Sequence, residues 1–136
     1  MKRNLIPAAI GLAVLLTAPS LFAQSSYLRV EVPFQFVAGE RVMPAGEYRV
    51  DIDAQFRRLD LRHSSGMGTF VSAAAVARKG DRGHGMLIFY KYGTSYVLRQ
   101  VAAAEQAQSY ALHPSRIERT LARSASGTQV AVLLKR

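Results

Sequence analysis

The sequence predicts one all-β domain: a small antiparallel β-sandwich or barrel of about seven strands, with one short helix before the last strand. Three observations point there. Apolar residues recur with period two in short runs, the pattern of half-buried strands. Glycine-rich and proline-rich turn signals separate these runs at short intervals. A helix-start signature occurs once, near residue 115. The 136 residues are one domain's worth. An apolar fraction of 49% argues against disorder. The chain has no Cys, which excludes disulfides, a Cys-ligated zinc site and a cysteine nucleophile.

The first stretch reads as a secretory signal peptide covering residues 1–23. Lys2 and Arg3 form a positive start, Leu5 to Ala18 carries no charge, and Pro19 and Ser20 interrupt the apolar run. Ala23 is a small residue suited to the position before cleavage. The run is at the short end for a membrane anchor, so no transmembrane span is expected after processing. The expected product is a single β-rich domain, residues 24–136, periplasmic or secreted. Of the formal +9, cleavage removes the charges of Lys2 and Arg3, which leaves +7.

The expected elements follow in order. Val30, Val32, Phe34 and Phe36 alternate with polar residues and Pro33, so this strand is expected at an edge or bulged at Pro33. Pro44-Ala45-Gly46 suits a type I turn. Tyr48, Val50 and Ile52 form a second alternating set, and Leu59 and Leu61 a third between Arg58, Asp60 and Arg62. Residues 63–68 are a loop by composition. Thr69 to Ala77 is apolar on both parities, with helix as the alternative to a strand. Residues 79–85 are a second loop, and Met86 to Tyr92 is a strong strand. Gly93-Thr94 allows a tight turn into Ser95 to Val101, so that pair reads as a hairpin. Residues 102–112 are open between a frayed helix and a linker. Ser115-Arg116-Ile117-Glu118 matches a capping box, with Glu118 expected to reach back to the cap. Ile117 and Leu121 give the helix an apolar stripe, Gly127 is expected to end it, and Thr128 to Leu134 is the last strand.

Several of these segments resemble a family of small exported bacterial proteins. Val32-Pro33-Phe34-Gln35-Phe36, Gly39 and Pro44-Ala45-Gly46-Glu47-Tyr48-Arg49-Val50 are similar to its opening, VPFxF followed by PAGxYxV. Phe89-Tyr90-Lys91-Tyr92-Gly93-Thr94-Ser95-Tyr96-Val97-Leu98 and Pro114-Ser115-Arg116-Ile117-Glu118-Arg119-Thr120-Leu121-Ala122 resemble its later segments, which include YGxxYxL and PSxxExxLA. The matches keep their order over residues 30–134, and residues 102–112 depart most from the pattern. The resemblance implies one exported β-rich domain. It implies no catalytic residue.

The chemistry-bearing groups are few. His63, His84 and His113 are far apart and show no metal-ligand spacing, so solvated loop histidines are expected. No cofactor motif is recognised, and the serines lack a G-x-S-x-G elbow. Asp51 and Asp53 share a strand face, with Arg49, Arg57 and Arg58 nearby to keep them ionised. Tyr90, Tyr92 and Tyr96 are candidates for an aromatic platform for sugar or base rings. Arg116, Arg119 and Arg123 fall at i, i+3 and i+7 on one helix face, and Arg outnumbers Lys by 14 to 4. A guanidinium fork suits phosphate, sulfate or carboxylate.

The expected function is therefore a non-enzymatic, envelope-associated binding protein that contacts anionic envelope polymers or lipid head groups through the basic helix. Export argues against nucleic acid as the partner. One alternative is a small carbohydrate-active enzyme, which needs two carboxylates facing each other in a pocket. Another is a structural subunit of an envelope assembly.

Overall fold

The computed structural model describes residues 27–134. The expected signal peptide, residues 1–23, lies outside them. The described residues form a single small β-rich domain of ten strands with one helix before the last strand. The strands are β1 (Tyr27–Val32), β2 (Phe36–Ala38), β3 (Arg41–Met43), β4 (Gly46–Asp53), β5 (Arg58–His63), β6 (Gly68–Ala77), β7 (Met86–Tyr92), β8 (Ser95–Ala102), β9 (Gln108–Leu112) and β10 (Gly127–Leu133). The helix α1 spans Arg116–Ser124.

The strands join in one unclosed sheet in the order β1-β4-β5-β6-β9-β8-β2-β3, with β7 between β8 and β10. The sheet folds over on itself along β6. Residues 68–72 of β6 pair with β5, and residues 73–77 pair with β9. A strand that passes from one layer to the other in this way is how orthogonally packed sheets turn their corners. Val30, Tyr48, Val50, Leu59 and Leu61 of the first layer meet Leu87, Phe89, Leu98, Val101 and Leu112 of the second in one core. All pairings are antiparallel except a short parallel one between β2 and β8.

Three expectations about elements are corrected. The run from Val30 to Phe36 is not one strand. Its ladder ends before Pro33, which lacks an N–H, and the chain crosses to the second layer before β2 begins. Phe34, inside the crossing, stacks on Tyr96 at 3.7 Å between ring centroids and meets Phe89 edge-on at 5.0 Å. Residues 108–112 are neither helix nor linker. They form β9, whose Ser109 and Leu112 are buried, and the Ser109 hydroxyl accepts from the Gln100 amide. Helix α1 ends at Ser124 with Ala125 as its C-cap, and Gly127 already belongs to β10. Gly127 is required there for space, since a Cβ would stand 2.9 Å from the Tyr92 ring.

The Pro44–Ala45 bend is tied by a tyrosine. Tyr48 is 1% exposed, and its hydroxyl donates to the Pro44 carbonyl four residues upstream. Gly46 has φ +144°, and a Cβ on it would meet the His63 ring at 2.3 Å. The close approach of His63 therefore requires this glycine as much as the bend does. Burial pushes the Tyr48 phenol from 10.0 up to about 12. The folded chain thus keeps a proton that the unfolded chain loses near pH 10. The stability associated with this phenol is complete below pH 10 and declines as pH rises toward about 12. In an absorbance titration of the six tyrosines, one component is expected to titrate only near pH 12 and to vanish in Tyr48→Phe.

Candidate functional site

Helix α1 lies on the outer face of the second layer. Ile117, Leu121 and Ala125 pack with Tyr90 against Val37, Tyr92 and Val97. Ser115 is the N-cap, and its hydroxyl accepts from the Glu118 N–H at 3.1 Å. The Glu118 carboxylate is committed elsewhere than the expected return to the cap. Glu118 is only 4% exposed, and one of its oxygens accepts from the Tyr92 hydroxyl at 3.0 Å. Arg99 Nη1 donates to both oxygens, at 3.1 and 3.0 Å. The Arg99 guanidinium also sits over the Tyr90 ring, 5.2 Å from its centroid. A paired and hydrogen-bonded carboxylate is one that can be buried. It pins the helix to β7 and β8 from beneath.

The opposite face of the same helix carries Arg116, Arg119 and Arg123, all exposed. Among the described residues no carboxylate comes within 4.0 Å of these guanidinium groups. Glu40 instead accepts from the Arg116 backbone N–H at 2.9 Å, so the helix N-terminus already holds an anion. The exposed cations of this face are side chains on a rigid support.

The three tyrosines do not share a face. Tyr90 and Tyr92 point toward the helix, and Tyr92 is buried. Tyr96 is opposite Lys91 in the register, so it lies on the other side of the sheet, stacked on Phe34. They form two separate packing groups, because the hairpin register pairs Tyr96 with Lys91 and Tyr90 with Val97, which puts Tyr90 and Tyr96 on opposite faces.

The histidines also stay apart. His63 is half-buried at the end of β5 and is not a solvated loop residue. Its Nδ1 is 2.7 Å from the Ser65 hydroxyl, and its ring is tilted against Tyr48. His84 Nδ1 is 2.9 Å from Asp81 Oδ2 in the loop before β7. Hydrogen bonds from His84 and the Gly83 N–H hold the Asp81 carboxyl below the usual carboxylate range. The buried Arg78 donates to the carbonyls of Ala103 and His84 and so fastens that loop. His113 is exposed, beside Glu40 and Arg41. Among the described residues, no group of three potential ligands is placed to hold a metal ion.

Asp51 and Asp53 share the outer face of the first layer, as their spacing predicts. Arg49 pairs with Asp51 at 3.1 Å and Arg58 with Asp53 at 3.6 Å. The register adds a partner that spacing along one strand does not show: Asp60 stands directly opposite Asp51 and is paired with Arg62 at 3.0 Å. Two carboxylates thus face each other on the outer strand face, where they line a wide concavity, and each is held by an arginine of its own strand. Acid–base catalysis uses one carboxyl kept protonated in an apolar environment, and this arrangement supplies no such environment.

No protein-family profile, curated protein or solved structure matches the chain. No helix among the described residues is long and apolar enough to cross a membrane.

Proposed function

We propose that the protein is an exported, non-enzymatic binding module of the cell envelope that engages anionic polymers or head groups through Arg116, Arg119 and Arg123. The observation that supports this reading is a helix held fast on one side and bearing three exposed, unpaired arginines on the other. A fixed helix matters because the backbone positions of the three cations need not be ordered again on binding. The net charge of +9, or +7 without Lys2 and Arg3, adds long-range attraction of the same sign.

The test uses lipoteichoic acid and dextran sulfate as probes, at low and at moderate salt. Binding should weaken steeply with salt, since exposed charges are screened within about 10 Å at 0.1 M. Each arginine near an anionic surface contributes about 1 kcal/mol. The triple variant Arg116→Gln, Arg119→Gln, Arg123→Gln is therefore expected to bind on the order of a hundredfold more weakly at low salt. Its thermal melt should stay unchanged, because these side chains are exposed and make no salt bridge among the described residues. Equal binding by parent and triple variant would reduce the basic face to a solubilising surface.

A further inference from the structure

The outer face of the first layer is built in rows across the strands. Tyr27 is opposite Asp51, Asp51 opposite Asp60, and Asp60 opposite Phe70. One row therefore reads aromatic, carboxylate, carboxylate, aromatic over β1, β4, β5 and β6. The adjacent row holds Arg29, Arg49, Arg62 and Gly68. Like charges directly opposite one another weaken a sheet, so stability alone does not favour this order. The repulsion is offset along each strand, where Arg49 grips Asp51 and Arg62 grips Asp60.

We propose that this row is a binding site for a neutral polysaccharide laid across the strands, with sugar rings stacked on Tyr27 and Phe70 and hydroxyls donating to Asp51 and Asp60. The two rings are 45% and 58% exposed, so each keeps ring surface open to solvent. They stand three strand spacings apart, about 14 Å, a span that fits an oligosaccharide and not a single sugar. Each ring is already steadied by a guanidinium: Arg49 over Tyr27 at 4.1 Å and Arg58 over Phe70 at 4.7 Å. Gly68, two residues before Phe70 on the same face, places no side chain beside that ring.

On the Phe70 side of the row, Asp51, Asp60, Arg62 and Phe70 line a concavity of about 660 Å³, and Tyr27 stands outside it beyond Asp51. Its acids and arginines nearly cancel, so a polyanion gains little there. A polyol has donors for the carboxylates and acceptors for the guanidinium groups, and it is matched by that balance. The Arg–Asp pairs fix these groups before any ligand arrives, which lowers the ordering cost of binding. The row lies on the first layer, whereas the basic helix is on the second, so the two surfaces can be tested separately.

The experiment is affinity electrophoresis of the purified protein in native gels containing hydroxyethylcellulose, galactomannan or pullulan. Dextran sulfate gels run in parallel. At least one neutral polymer is expected to retard the parent. Phe70→Ala and Tyr27→Ala should each weaken that retardation about tenfold, and Asp51→Asn should weaken it as well. Circular dichroism and melting should be unchanged in Phe70→Ala, since the ring is mostly exposed. The proposal is overturned if none of the three neutral polymers retards the parent, or if Phe70→Ala and Tyr27→Ala run like the parent. It is also overturned if dextran sulfate alone retards the protein and the triple arginine variant abolishes that effect, a result that supports the helix reading.

Discussion

Glu118→Ala is expected to lower the stability of the domain by about 3 kcal/mol, the lower end of the range for breaking a buried ion pair. The substitution leaves the Tyr92 hydroxyl and the Arg99 guanidinium without their acceptor at the helix–sheet junction. The Arg99 side chain is 26% exposed, so water restores part of its solvation, and the loss stays below the upper end. Urea unfolding measures it directly. Glu118→Gln can keep the bond from Tyr92 while removing the charge that Arg99 needs, so a smaller loss is expected. A loss under about 1 kcal/mol in the Ala variant would mean that Ile117 and Leu121 alone hold the helix. The same variant connects stability to binding. With its anchor gone, α1 no longer presents Arg116, Arg119 and Arg123 as a fixed array. Affinity for lipoteichoic acid should then fall even where the sheet remains folded.

Phe89→Ala carries the largest expected effect, about 4 kcal/mol. Phe89 is fully buried and meets Phe34 and Phe36 edge-on, at 5.0 and 5.2 Å between centroids. It fills the space where the inter-layer crossing, β2 and β7 converge, so its removal opens a cavity bounded by elements from separate parts of the chain. Such a site collapses poorly, which places it toward the costly side of aromatic truncations. Phe89→Leu should cost far less, because most of the volume remains. Denaturant midpoints of the two variants give the comparison. A cost below about 2 kcal/mol for the alanine variant would show that the two layers relax onto the void.

Strand type was legible wherever alternation was regular and long. Leu59 and Leu61 are both buried, while Arg58, Asp60 and Arg62 face outward, as their spacing requires. The β7–β8 hairpin followed from Gly93-Thr94, and Gly93 takes φ +61° in the turn. What alternation hides is a change of layer. Val30 to Phe36 keeps one parity throughout, yet Pro33 interrupts the ladder and the chain leaves one layer for the other. Residues 108–112 concealed a strand because its buried positions include a serine, satisfied by Gln100 from β8. Short β3 carries too few residues for a pattern at all.

The basic helix face was legible because helical periodicity depends only on local spacing. The row Tyr27–Asp51–Asp60–Phe70 was not, because it depends on register between four strands. Each residue alone looks like an ordinary outward position. Glu118 misled for a related reason: the capping signature is local, whereas the stronger donors, Tyr92 and Arg99, come from strands 26 and 19 residues away.

Because β6 gives half its length to each layer, its amides offer a direct reading of how the domain opens. Releasing β6 would strip β5 and β9 of a neighbour at the same moment. Neither layer has a route to separate while the other stays intact. In native-state hydrogen exchange, the slowest amides of Val71 and Leu61 in one layer should therefore share an opening free energy with those of Val101 and Leu112 in the other. They would behave as one cooperative unit, with earlier release confined to edge strands and loops.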